Sequence, residues 1–258
     1  MTKLVWDASG TRTYETGVDH GVLYLDDDKK GHYGKAVAWN GLTTVTQSPS
    51  GAEPTPLYAD NIKYLNLTSA EEFAATIEAY TYPDEFAACD GSYVVPSAGN
   101  LSNPFSGITI GQQARKQFGF AYRTIKGNDE KTNDYGYKLH LVYGATAAPS
   151  ERAHATVNDS PEAITFSWSV STTPVAIKDH DDLKPTALVE LDSTALPKKF
   201  MDVVEAKLFG SKEMDGYLLL PHEIIELYKS IVGGSSGSSN SGGRGGTSDN
   251  NPSGGASQ

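Results

Sequence analysis

Groups able to do chemistry are thinly scattered along this chain. Asp26, Asp27, Asp28 and His32 place three carboxylates and an imidazole close together, a set that could hold a hard cation. The spacing of a calcium-binding EF-hand loop and its glycine are missing, so the stretch reads as a solvated turn. Asp179, His180, Asp181 and Asp182 form a second such set, which reads as charge in an interdomain linker. Glu72, Glu78, Asp84 and Glu85 are carboxylates of the kind that glycoside hydrolysis needs facing each other across a cleft, with one pKa raised. Nothing in their spacing selects a pair, and Glu72 and Glu78 fall on the polar side of a strand-like segment. Cys89 is the single cysteine, which excludes an internal disulfide, and it reads as a packed small residue rather than a nucleophile. No HExxH, Walker A or GxGxxG motif occurs, and no G-x-S-x-G elbow lies between a strand and a helix. The expectation is therefore no catalytic residue, no metal and no cofactor.

The elements that would have to position such groups are mostly strands. Gly and Pro are abundant and Tyr is the commonest aromatic, a mixture suited to short strands and turns. EAITFSWSVSTTPV, residues 162–175, alternates Ile164, Phe166, Trp168 and Val170 with Thr165, Ser167, Ser169 and Ser171, as a strand with one greasy and one hydroxyl face does. KQFGFAYRTI puts Phe118, Phe120 and Tyr122 on one face. DYGYKLHLVYG does the same with Tyr135, Tyr137, Leu139, Leu141 and Tyr143, and GNDEKTND joins the two as a polar hairpin turn. GTRTYETGVDHGVLYL reads as a pair of short strands joined through Gly17 and Gly21, and Asn40-Gly41 as a turn between two more. NIKYLNL and FAATIEAYTY read as neighbours in a meander. PDEFAACDG reads as one short helix from Pro83 to Gly91. Residues 46–59 and 92–112 are long segments broken by Gly, Pro, Ser and Asn.

Three regions follow: a β domain over 1–178, a βαβα segment over 179–232 and a disordered Gly/Ser-rich tail over 233–258. The formal net charge of -11 argues against binding a polyanion through a basic surface. The start MTKLVWDASG shows no signal-peptide pattern, and no apolar run approaches the ~18 residues that span a bilayer. The expectation is a soluble protein without membrane contact, for which the sequons at Asn66 and Asn100 are chance matches.

Residues 34–91, GKAVAWNGLTTVTQSPSGAEPTPLYADNIKYLNLTSAEEFAATIEAYTYPDEFAACDG, closely resemble the major tail proteins, or tail tube subunits, of long-tailed, siphovirus-type bacteriophages. The resemblance continues at 109–124 (TIGQQARKQFGFAYRT), at 134–175 and at 184–210 (KPTALVELDSTALPKKFMDVVEAKLFG). It implies a structural virion protein with a β-sandwich or barrel fold, a flanking short helix and a small C-terminal α+β segment. It also implies hexameric rings that stack into a tube around a tape-measure protein. Further implied partners are the tail terminator and distal tail proteins, with viral DNA passing transiently through the lumen. The implied localisation is the virion tail, after assembly in the host cytoplasm. On that reading, strands 118–124, 137–143 and 164–170 turn their polar faces to a lumen lined by acidic or neutral-polar residues, the competing possibility being that Arg123 or Lys138 projects into it without a partner, and the two long segments are arms reaching neighbours. The alternative is a β-sandwich carbohydrate-binding or adhesin module.

Overall fold

The computed structural model describes residues 3–26, 33–97, 105–157, 159 and 162–233. Asp27, Asp28 and His32, the Asn100 sequon and the tail from residue 234 lie outside the described residues. The fold is mainly β. Strands β1 (Thr13–Asp26), β2 (Tyr33–Trp39) and β3 (Leu42–Gln47) are followed by the short β4 (Ser50–Gly51), then β5 (Pro54–Ala59), β6 (Ile62–Thr68), the short β7 (Glu71–Glu72) and β8 (Ala74–Ala79). Helix α1 is a 3-10 turn, Asp84–Phe86, running on into Ala87–Asp90 and stopped by Gly91 in the left-handed region. Strands β9 (Tyr93–Pro96), β10 (Phe105–Ile110), β11 (Phe118–Asn128), β12 (Thr132–Ala147), β13 (Phe166–Thr172) and β14 (Leu188–Asp192) precede helices α2 (Lys198–Phe209) and α3 (Pro221–Gly233).

Eight strands form one antiparallel sheet in the order β2-β1-β11-β12-β13-β8-β3, with β14 beside β12. The sheet is folded over on itself. Trp39 on β2 and Trp168 on β13 are four strands apart, about 19 Å in a flat sheet at ~4.8 Å per strand. Their ring centroids lie only 5.5 Å apart. They meet inside a dry core with Phe86, Phe118, Phe120, Ile77, Val142 and Cys89. Gly21 on β1 allows the closure, because a Cβ there would lie 2.4 Å from Leu42 Cδ1 and 2.9 Å from the Trp39 carbonyl oxygen.

A second core covers the outer face of the β1-β11-β12-β14 half. Phe200, Met201, Val204 and Leu208 from α2 and Ile224 from α3 pack on Val22, Tyr24, Ala121, Leu139, Leu141 and Tyr143. The helices therefore complete the β domain rather than forming a separate unit. β14 pairs Leu188–Asp192 with Val142–Lys138, and the 176–185 loop, read as an interdomain linker, is closed by a Val175–Thr186 bridge. The second strand expected in the C-terminal segment is a single bridge from Leu218 to Tyr33.

Three local expectations are corrected. Residues 13–26 are one long strand, because Gly17 (φ +66°) and His20 (φ +50°) bulge it without reversing it, and its register against β11 shifts on either side of Asp19. Residues 62–68 and 74–79 are not a meander: the former pairs with β5, and the latter lies between β3 and β13. Parts of the two long segments read as loops are strands, namely β4, β5, β9 and β10.

Gly144 marks where the free edge of β12 passes from β14 to β13. Its φ is +59°, and a Cβ would lie 2.1 Å from the Thr173 carbonyl oxygen. Gly144→Ala is expected to cost about 2–4 kcal/mol, from strain plus overpacking. Gly111→Ala, with nothing within 4 Å of its Cβ, should change stability by less than about 0.5 kcal/mol. Urea denaturation of the two variants measures the contrast, and equal stabilities would contradict it.

Candidate functional site

The most exposed apolar side chains lie on segments that leave the core. After Gln47 the chain departs from the sheet, and the Ser50–Glu72 and Gly51–Glu71 pairs hold the two legs of an arm together. Beyond them β5 and β6 form a hairpin closed by Asp60 and Asn61, both left-handed at φ +51° and +63°, as a tight two-residue turn requires. Pro54 and Pro56 stand two apart, so both missing N–H groups fall on one edge of β5, the unpaired one. Every residue of the hairpin strands is exposed. Leu57, Leu65 and Leu67 share one face, and because the register shifts by one residue at Tyr64, the Ala59–Ile62 pair puts Ile62 on that face as well. An isolated two-stranded hairpin is marginal in water, and these strands keep their large apolar side chains exposed.

A second, smaller hairpin, β9–β10, exposes Tyr93, Ile108 and Ile110. The N-terminal Leu4, Val5 and Trp6 are about three-quarters exposed. Next to them Ser9 and Gly10 are tied to Glu130 and Asp129 at the β11–β12 turn, so these side chains are displayed from a fixed point.

The hydroxyl face of β13 belongs to a wider wall. Register sets Thr44, Glu78 and Ser167 in one row, Thr46, Thr76 and Ser169 in the next, and Ser171 beside Thr146. The alternate rows, Val45–Ile77–Trp168 and Gln47–Ala75–Val170, point inward. No residue of β3, β8 or β13 belongs to the core that α2 and α3 cover. Strands β3, β8 and β13 contain no lysine or arginine, and Glu78 is their one acid. Ile164 lies before the strand and is exposed.

The wall does not extend to the other two strands expected to carry it. On β11, Phe118, Phe120 and Tyr122 enter the dry core while Ala121 lies under the helices. On β12, Leu139, Leu141 and Tyr143 lie under the helices while Val142 enters the dry core. Both strands are thus buried on both faces over these residues. Their cations are paired: Arg123 donates to both carboxylate oxygens of Asp19, at 2.7 and 2.8 Å, and Lys138 is paired with Glu15. The Arg123 hydrogen bonds hold the Asp19 carboxyl below its usual pKa.

The groups considered for chemistry do not converge. Glu72 stands at the base of the first arm, Glu78 on the wall, and Asp84 and Glu85 in the first turn of α1. Asp179 to Asp182 form a turn in which His180 lies 3.5 Å from Lys229 Nζ. Among the described residues no group of three or more His, Cys, Asp or Glu is placed to hold a metal ion. A groove of about 640 Å3 between β1, β2 and Phe209 contains an Asp19–His20 pair at 3.0 Å. No hydroxyl or thiol side chain lines it, so the imidazole has no side-chain nucleophile beside it, and Asp19 is already engaged by Arg123. Cys89 is fully buried, and burial pushes its thiol up to about 12. Among the described residues no helix is long and apolar enough to cross a membrane.

No protein-family model matches the chain, and no curated protein matches it significantly.

Sequence patterns carried both faces of β13 and the apolar faces of β11 and β12, but not the polar faces expected of those two strands, and missed the first arm as an element. The available signal was Asp60-Asn61 between two short runs of β-forming residues, a turn pair with a high tolerance for the left-handed region.

Two measurements probe this geometry. Cys89 should stay unreactive toward a thiol-specific disulfide reagent in the native protein at pH 8 and react with one equivalent once the chain is unfolded. Rapid native reaction would contradict its burial. The Asp19 pKa is lowered on folding, so its stabilisation is present above the unfolded value of about 3.9 and is lost as pH falls through the lower folded value. Asp19→Asn should therefore melt below the wild type at pH 7, with the gap narrowing toward pH 3. A gap that does not depend on pH would rule out the ion pair as its cause.

Proposed function

We propose that this chain is the tail tube subunit of a long-tailed bacteriophage. Hexameric rings of it stack into a tube around the tape-measure protein, end on tail terminator and distal tail proteins, and later conduct viral DNA. The observation that carries the proposal is the pair of β-hairpin arms, which hold large apolar side chains in water around an otherwise sealed core. A subunit that works alone has no use for such arms, whereas a subunit of a closed assembly covers them on its neighbours.

The hydroxyl wall supplies a lumen lining for this reading. It is uncharged apart from Glu78 and offers no cation to which a phosphate backbone would stick. With a net charge of -11 per subunit, passing DNA is repelled rather than held. The alternative of a carbohydrate-binding module finds less support, because sugar recognition on a flat sheet face uses exposed aromatic rings. On this wall Trp168 points inward and Phe166 stacks on it.

Negative-stain microscopy of the purified protein tests the proposal: rings or tubes are expected, and dispersed monomers at high concentration would overturn it. Replacing residues 50–72 by a short turn should leave the melting temperature nearly unchanged, because the arm lends no side chain to either core. The same replacement should abolish tubes. Normal tubes from the armless chain would remove the arm from the assembly mechanism.

A further inference from the structure

A buried titratable group sits at the root of the first arm. His140 on β12 is 4% exposed, one of two polar residues among the described buried ones. Its ring lies flat on Tyr122 of β11, with centroids 4.6 Å apart and planes 7° apart. Nδ1 is 2.9 Å from Glu190 Oε1 on β14, and Nε2 is 2.9 Å from Thr124 Oγ1 on β11. The neutral imidazole satisfies both contacts, with Nδ1–H donating to the carboxylate and the Thr124 hydroxyl donating to Nε2. Gln47, the last residue of β3 before the arm, donates from Nε2 to the Tyr122 hydroxyl at 2.8 Å, and the same amide nitrogen lies 3.4 Å from His140 Nδ1. The next residue, Ser48, donates its N–H to the Ala74 carbonyl oxygen, where the returning leg joins β8.

We infer that His140, Glu190, Tyr122 and Gln47 form a pH-operated latch that fixes the first arm to the body when His140 is neutral and releases its root when His140 is protonated. An added proton puts an N–H at Nε2, so Thr124 must accept where it donated. It also puts a full positive charge beside the Gln47 amide nitrogen, which carries partial positive charge of its own. Gln47 relieves that contact by turning away, and the turn breaks its bond to Tyr122. The other charged groups facing the ring are Glu15 from β1 and Lys138 from β12, and these two are paired with each other. Burial lowers the His140 pKa and Glu190 opposes the shift. The folded state thus resists a proton that the unfolded chain accepts near pH 6.5, so this corner loses stability as pH falls through that value.

The latch is a property of one chain and does not depend on the tube. That it governs assembly rests on the tail tube reading, in which a released arm docks less well. Amide hydrogen exchange on the full chain, kept dilute enough to stay monomeric, tests the latch separately. After correction for intrinsic rates, exchange over residues 48–72 should be several-fold faster at pH 5.5 than at pH 7.5, with β9–β10 unchanged as an internal reference. His140→Gln should abolish the difference. Gln47→Met, which keeps the histidine and cuts the relay, should uncouple the arm even if the first variant folds poorly. An arm whose exchange does not respond to pH in the wild type, or responds equally in Gln47→Met, overturns the latch. Absence of tubes at any pH would count against the assembly reading alone.

Discussion

The fold depends on one covalent constraint. Strands β2 and β3 stand at opposite ends of the sheet order, yet only Asn40 and Gly41 separate them in sequence. Two residues cannot span a flat seven-strand path of roughly 29 Å at ~4.8 Å per step, so the sheet must curl until its ends meet at a corner. Trp39 sits at that corner. It reaches across to Phe86, Phe120 and Trp168 and donates its indole N–H to the Thr81 carbonyl oxygen at 3.0 Å. Closure seals one aromatic core and turns the other sheet face outward all round the molecule.

That outward face has two fates, and the difference explains the C-terminal segment. Over β1, β11 and β12 it carries Val22, Tyr24, Ala121, Leu139, Leu141 and Tyr143, too much apolar surface to leave wet. The helices cover it, and the Tyr24 and Tyr143 hydroxyls donate to the Leu208 and Leu219 carbonyl oxygens at 2.9 and 2.7 Å, fixing both helix ends to the sheet. Over β3, β8 and β13 the same face carries serine and threonine and needs no cover. The composition of each strand therefore sets where the second layer stops.

Much of this was legible in sequence where period and punctuation agreed. Pro83 and Gly91 bracket α1, and the alternation in 166–171 gives the inward Trp168 and Val170 and the outward serines. The expected polar faces of β11 and β12 failed for a different reason. Arg123 and Lys138 read as solvent-facing, whereas each finds a carboxylate on β1, more than a hundred residues away in sequence, and period-two reasoning does not see such partners. Gly17 read as a turn because bulges and turns use the same residue. The His140 cluster was invisible for a related cause: its members come from β3, β11, β12 and β14, and only the curl of the sheet brings Gln47 to Tyr122.

The curl also fixes where polar chemistry can be placed inside the barrel. Near the Asn40–Gly41 corner the interior is filled by aromatic rings and is dry. Where β3 leaves for the arm, the same inward face carries Gln47, Thr124, His140, Lys126 and Lys138 instead. Lys126 bonds to Asp192 at 2.5 Å and Lys138 to Glu15, so each of these two charges meets a partner two strands away across the sheet. A greasy end there would continue into the apolar hairpin and let the arm collapse onto its own barrel. A polar end with its lysines paired offers Leu57, Leu65 and Leu67 little apolar surface at the root of the arm. The arm is kept extended by what the barrel mouth withholds from it, and its apolar faces stay available to another molecule.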